Sequence, residues 1–267
     1  MAFFGCQFVF DDIPSWEYGL VCYDISTPTE DGIFSSTPTD IYEDRTPRRY
    51  TPMHYGVSRN TPLTFSFTFG ADPRNIHKGE WLDRHEMDAI ASWLTKDETY
   101  KYLEIIQPDL DSTRYRCIIT NLKYSTYGKF PWAFTCEVTC DSPYAYLHPE
   151  TFSYSVNGTL TTIFDNKASS DIYRPKLHII INRGNTLSII NHSDNDRAFI
   201  FSSITGLPIE IDVDNENEII TNNKNINLYD KFNFKFFRLI RGRNNLEFTV
   251  SNATVNFLCE FPINVGG

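Results

Sequence analysis

Two cysteines four residues apart, Cys136 and Cys140 in "FTCEVTC", are the first pair in this chain whose types and spacing could do chemistry. They could form a metal clip or a redox pair. On a strand, however, residues i, i+2 and i+4 project to one face, at about 3.3 Å per residue. The two sulfurs would then lie roughly 13 Å apart, too far to bond. Phe134, Cys136, Val138 and Cys140 read instead as one apolar stripe, with Glu137 on the other side. The remaining cysteines, Cys6, Cys22, Cys117 and Cys259, show no C-x-x-C spacing and no neighbouring histidines. All six read as free, mostly buried thiols of a protein made in a reducing compartment.

Other candidates fail on spacing. His85-Glu86 opens like a zinc-protease helix, but that motif needs a second histidine where Ala89 stands. The run Asp212, Asp214, Glu216, Glu218 suggests a calcium loop. Counted from Asp212, an EF-hand wants Gly at its sixth position and Glu at its twelfth, where this chain has Asn217 and Asn223. Ile209, Ile211 and Val213 alternate with Glu210, Asp212 and Asp214, which predicts a strand with a solvated acidic face. No nucleophile elbow, phosphate loop or dinucleotide fingerprint is present. Paired glycosidase carboxylates could lie among the 34 acids without a spacing signature. These residues predict no enzyme, no cofactor and no metal.

The elements around them are mostly strands. Aromatics make up 15 % of the 267 residues, with 21 Phe and 15 Tyr, a bias toward β-structure. "LTFSFTFG" (63–70) alternates Phe65, Phe67 and Phe69 with Thr64, Ser66 and Thr68, the pattern of a half-buried strand. Further strands are expected at 6–10, 18–25, 100–107, 114–128 and 132–140, with a hairpin turn at "PDLDST". One amphipathic helix is expected over 79–97, with Leu82, Ala89, Ile90, Trp93 and Leu94 on its apolar stripe. After residue 148 short strand patterns recur every 8–12 residues or so, as in a β-sandwich. They fall at 159–164, 176–182, 186–191, 198–203, 209–213, 231–240, 245–250 and 253–261. Asn, Gly and Asp clusters such as "DNEN" and "RGRNN" read as the turns between them.

Residues 26–61 differ in character, with five Thr-Pro steps. Within them, "DIYEDRTPRRYTPMHYG" (40–56) interleaves Ile41, Tyr42, Tyr50 and Tyr55 with arginines. A long loop of such adhesive content predicts an extended arm that packs on a neighbouring subunit. Tyr42, Arg48, Arg49, Tyr50 and Tyr55 are its candidate oligomer-interface residues.

The net charge of −10 is uneven. Residues 1–147 carry 13 Lys+Arg against 21 Asp+Glu, and residues 148–267 carry 11 against 13. An acidic chain is a poor nucleic-acid binder, since phosphate neutralisation supplies most of that affinity. No apolar run approaches the roughly 20 residues of a membrane span, and "MAFFGCQFVFDDIP" does not read as a signal peptide.

The order of parts resembles the distal tail protein (Dit) family of long-tailed bacteriophages and prophages. The likeness runs through "HYGVSRNTPLTFSFTF" (54–69), "DAIASWL" (88–94), "YKYLEIIQPD" (100–109) and "FTCEVTCDSPYAY" (134–146). It continues in "GLPIEIDVDNENEIITNNKNINLYD" (206–230) and "RGRNNLEFTVSNATVNFLCEFP" (241–262). The resemblance implies a ring-forming tail-tube-like β-sandwich or barrel domain with one helix over 1–147. A galectin-like, jelly-roll-type β-sandwich follows over 148–267. It further implies a non-enzymatic homo-hexamer at the tail tip of the virion, made in the host cytoplasm, around a channel for DNA. The implied partners are the tail tube protein and a hub, fibre or receptor-binding protein, with neither specific nucleic-acid binding nor membrane insertion. A host glycan is a further possible ligand. The alternative is a carbohydrate-binding module that stacks sugar on an exposed aromatic of the second half.

Overall fold

The computed structural model describes residues 7–23, 39–72, 82–96, 98–106, 113–127 and 130–265. The chain divides into two compact units. One runs to Tyr146 and takes in the residues from Asn264 on; the other is Leu147–Ile263.

The first unit contains β1 (Gln7–Phe10), β2 (Ile13–Pro14), β3 (Leu20–Tyr23), β4 (Asp40–Asp44), β5 (Met53–Ser58) and β6 (Thr64–Ala71). Helix α1 (Arg84–Thr95) follows, then β7 (Lys101–Ile106), β8 (Thr113–Tyr127), β9 (Phe130–Cys140) and β10 (Ala145–Leu147) at the unit's end. The main sheet runs β2-β1-β7-β8-β9-β6-β3, with antiparallel pairing throughout that path. Alternation decides which face is buried. Phe65, Phe67 and Phe69 of β6 lie opposite Val138, Cys136 and Phe134 of β9, and all six are buried. Burying side chains of this size contributes about 1.5–3 kcal/mol each. Ring contacts tie β1 to the same core: Phe8 lies 5.3 Å from Phe67 and 5.1 Å from Phe69.

Helix α1 is shorter than the 79–97 expectation. Asp83 caps it, accepting from the Glu86 amide at 2.8 Å, while the Glu86 carboxylate accepts from the Asp83 amide at 3.1 Å. This reciprocal capping box fixes the start. Residues 79–81 and 97 lie outside the described residues, as do Cys6 and most of the expected 108–113 turn. Ile90 and Leu94 are buried, and so is Leu82, just before the helix. Ala89 is exposed instead of sharing their stripe.

The second unit contains β11 (Glu150–Asn166), β12 (Ile172–Tyr173), β13 (Lys176–Arg183), β14 (Leu187–Asn191), β15 (Arg197–Phe201), β16 (Ile209–Asp214), β17 (Ile219–Asn222), β18 (Leu239–Ile240), β19 (Gly242–Cys259) and β20 (Pro262–Ile263). Strand β19 is its spine. The two strands expected at 245–250 and 253–261 are one strand of 18 residues, paired along its length with the 17-residue β11. Its other edge is shared: β14 pairs with Leu246–Thr249 and β13 with Asn252–Leu258. The register of β11 on β19 shifts between Val156 and Gly158, a bulge where a strand pair can bend from one sheet layer into the other. Gly184 joins β13 to β14 at φ 104°, and a Cβ there would stand 2.9 Å from Ser251 Oγ. Only glycine suits that approach. The core collects Ile179, Ile181, Ile189, Ile211, Phe248 and Phe257, all fully buried.

The largest departure from expectation is 231–240. The alternation of Phe232, Phe234 and Phe236 predicts a strand, yet only Leu239–Ile240 is one. Phe234 takes φ 57°, which interrupts any extended run. Buried side chains replace the ladder bonds. Asn215 Oδ1 accepts from the Phe237 amide at 2.8 Å, and Asn191 Nδ2 donates to the Arg238 carbonyl at 3.2 Å. Asn244 Oδ1 accepts from the Ile240 amide at 2.9 Å, and Asn166 Nδ2 donates to the Ile240 carbonyl at 3.0 Å. The Arg238 guanidinium grips buried Asp194 through two contacts of 2.6 and 2.9 Å. The asparagine clusters are thus more than spacers: Asn215 of "DNEN" and Asn244 of "RGRNN" are completely buried.

Candidate functional site

The expected arm is a two-stranded hairpin. Strands β4 and β5 pair antiparallel as a sheet of their own, joined by a turn that carries Arg48, Arg49 and Tyr50. Thr-Pro steps flank the turn at 46–47 and 51–52. The Arg49 amide donates to the Thr46 carbonyl at 3.1 Å, and Arg48 sits at φ 73°. Tyr42 and Tyr55 lie on opposite faces. Ser58 Oγ donates to the Tyr42 hydroxyl at 3.1 Å across one face. On the other, Ile41 stands opposite Val57, and Tyr55 follows Val57 at strand spacing; the register shift between Tyr42 and Glu43 takes Met53, opposite Asp44, off this face.

All three residues of that second face are exposed: Ile41 by 62 %, Tyr55 by 68 % and Val57 by 57 %. Tyr50 is fully exposed at the turn. A lone hairpin is marginally stable in water, and a contiguous exposed apolar face marks an interaction surface. The sequence pointed to Ile41, Tyr42, Tyr50 and Tyr55. It missed Val57, although its spacing of two from Tyr55 carries the signal.

The described cysteines are core. Cys22 is buried, Cys117, Cys136, Cys140 and Cys259 are free and buried, and Cys117 lies opposite Cys140 across β8 and β9. Burial pushes the thiol of Cys140 up to about 12 and raises those of Cys117 and Cys136 further. A thiol held protonated is a poor nucleophile. Thiol titration of the native protein at pH 8 is therefore expected to leave these five unreacted, and denaturant to release all five. Rapid native labelling of Cys136 or Cys140 would contradict this.

Just past Cys140, Ser142 Oγ accepts from the Tyr144 amide at 3.2 Å and contacts the Tyr146 hydroxyl at 2.9 Å. This side-chain turn ends β9. Glu86 is occupied by capping α1, as described. In the acidic run, Ile209, Ile211 and Val213 are buried while Glu210 and Asp212 face solvent. Asp214 accepts from the Glu216 and Asn217 amides at 3.1 and 3.0 Å, closing a turn. Among the described residues no three His, Cys, Asp or Glu side chains gather as a metal site, and no helix is long and apolar enough to cross a membrane.

A shallow cleft of about 470 Å³ lies in the first unit, lined by Asp11, Tyr18, Trp93, Lys96 and Lys101. Lys101 pairs with Asp11 at 2.9 Å, and the Trp93 indole donates to the Phe10 carbonyl at 3.2 Å. Trp93 also stacks on Tyr18 at 4.7 Å. The Trp93 contacts seat α1 against Phe10 of β1 and Tyr18.

Comparison with known proteins decides the family. The pattern described as "Phage tail protein N-terminal domain" matches residues 4–142, and that described as "Phage tail C-terminal domain" matches 144–259. The chain belongs to the phage tail protein family. No curated protein matches it in sequence. Among solved structures, the Dit protein of phage SPP1 has a similar fold, with a TM-score of 0.69 and 10 % identity. The likeness covers 96 % of this chain and 99 % of that one. That protein is described as a paradigm of the hub adsorption apparatus in phages infecting Gram-positive bacteria. The fold of this phage tail protein is the Dit fold: mostly β, with one α-helix among the described residues and a galectin-like domain.

Proposed function

We propose that this phage tail protein is a structural hub of the tail tip, a hexameric ring between the tail tube and the host-adhesion proteins. The exposed apolar face of the β4–β5 arm carries the reading, on a chain that has the Dit fold over nearly its whole length. Closure of a cyclic ring needs a heterologous contact, in which one surface meets a different surface of the next copy. An arm rich in Tyr and Arg, the residue types favoured at interface hot spots, supplies one side of it. Residues 1–147 form the ring wall, residues 148–267 the galectin-like domain that meets the attached tail proteins. The acid excess of residues 1–147 gives a channel wall past which DNA moves without sticking. The role is architectural, without catalysis, in the virion.

Cryo-electron microscopy of intact tails tests this reading. The expected density is one six-fold ring of this chain at the distal end of the tube, with an open centre. A copy repeated along the tube, or an absence from the tip, would refute it.

A further inference from the structure

One long strand edge of the second unit is unpaired among the described residues. The β11–β19 pair is common to two runs of strands. In one, β19 continues to β14 and β15; in the other, to β13, β16 and β17. The far margins of both are protected. Asn233 covers β15: its amide donates to the Ile200 carbonyl at 3.1 Å and its Nδ2 to the Ala198 carbonyl at 2.8 Å. Its Oδ1 accepts from the Ile200 amide at 3.2 Å. Strand β17 is only four residues long, and a short edge gives little to pair with. The near margin is β11, with 17 residues, and β19 is its one strand partner. Alternate residues of an antiparallel strand turn N–H and C=O away from the partner. Regular pairing runs on both sides of the single bulge, over Glu150–Val156 and Gly158–Asn166. Proteins blunt exposed edges with lysine, other charges or proline; from Thr151 to Phe164 this one has no charge and no proline. Phe152, Tyr154 and Leu160 pack on the core yet stay partly exposed, so the core row ends there without a flanking strand.

We propose that the β11 edge is a strand-addition site, filled in the tail by an extended, uncharged segment of an attached tail protein. A row of outward N–H and C=O groups at strand spacing is matched by another extended backbone. A second copy of this chain does not fit the place. Pairing β11 with its own counterpart joins like edges and needs a two-fold axis, which a six-fold cyclic ring lacks. The β17 margin of a neighbouring copy offers only four residues. This choice of occupant rests on the hub reading. The edge also sets the chemistry of the incoming strand. Beside Phe152, Tyr154 and Leu160 it presents apolar side chains, which complete the core row. Beside exposed Ser153, Ser155 and Thr161 it presents hydroxyl or β-branched ones. Between Thr151 and Phe164 a charge on it would meet no counter-charge on β11. Backbone bonds hold such a strand, and the alternate side chains select it.

The test is hydrogen exchange, read by mass spectrometry, on the free full chain and on intact tails. In the free chain about half of the β11 amides should exchange freely. In tails the same amides should slow by at least ~100-fold. Equal exchange in both overturns the proposal. Cryo-electron microscopy of the same tails separates the two readings: a ring at the tip with β11 unprotected leaves the hub standing and removes only the strand addition. Protection that rises with the concentration of free chain means self-pairing, and also overturns it. A chain with Ser153→Lys, Ser155→Lys and Thr161→Lys alters only exposed side chains, so it should melt within a few degrees of wild type. Its β11 protection in tails should fall ~10-fold or more, since lysines repel an added strand. Protection equal to wild type in that variant refutes the site.

Discussion

A chain carrying Ile41→Ser, Tyr55→Ser and Val57→Ser is expected to fold normally and to lose ring assembly. These side chains are exposed, so truncation removes little from either unit's core. In an assembled ring each would be covered by the neighbouring copy, at about 1–2 kcal/mol apiece for apolar area of this size. Three such losses weaken each contact by roughly 3–6 kcal/mol, about 100- to 10,000-fold in affinity. Sedimentation across a concentration series should show the shift toward free chains, with an unchanged melting temperature. Replacing Arg48, Arg49 and Tyr50 by alanine should act in the same direction, and adding salt to wild type should mimic part of the effect, since exposed charges are screened. If both triple variants assemble like wild type, the arm is not the ring contact.

The second large effect concerns the stability of the galectin-like unit. Asn244→Leu keeps the branched heavy-atom outline but removes four hydrogen bonds. Asn244 Oδ1 accepts from the Ile240 amide at 2.9 Å and from Asn191 Nδ2 at 2.8 Å. Its Nδ2 donates to the Ile240 and Gly242 carbonyls, both at 2.8 Å. Each buried polar group left without a partner costs about 1–3 kcal/mol. The Ile240 carbonyl keeps its bond from Asn166 and Asn191 its bond to the Arg238 carbonyl, so the loss falls mainly on the Ile240 amide and the Gly242 carbonyl, and a total of about 2 kcal/mol is expected. Urea unfolding should show the loss as a lower midpoint at unchanged slope. Asn157→Ala, at an exposed position of β11, should change stability by no more than about 0.5 kcal/mol. A loss below about 1 kcal/mol for Asn244→Leu would mean that the network does not hold the 236–240 segment.

The two variants mark the limits of what the chain reveals in one dimension. Alternation alone identified β6 and β9, and it placed Phe134, Cys136, Val138 and Cys140 on one buried face. It also separated the acids of β16 from its core residues, because side-chain direction on a strand is a local property. The arm's adhesive composition was legible for the same reason: Tyr and Arg between Thr-Pro steps stand out without any knowledge of neighbours.

The tertiary structure decided whatever depends on where backbone hydrogen bonds go. A bulge at Val156–Gly158 lets β19 run through both layers, whereas its interrupted alternation reads as two strands. Phe232, Phe234 and Phe236 share a strand's spacing, but Asn215, Asn191, Asn244 and Asn166 satisfy this backbone from distant positions, and Asn233 turns Phe234 into solvent. No local pattern announces that an asparagine 22 or 74 residues away will act as a strand partner. The exposed face of the arm is likewise a tertiary fact. Strand spacing can place Ile41, Tyr55 and Val57 on one apolar face, and only the packed molecule shows that these side chains are exposed.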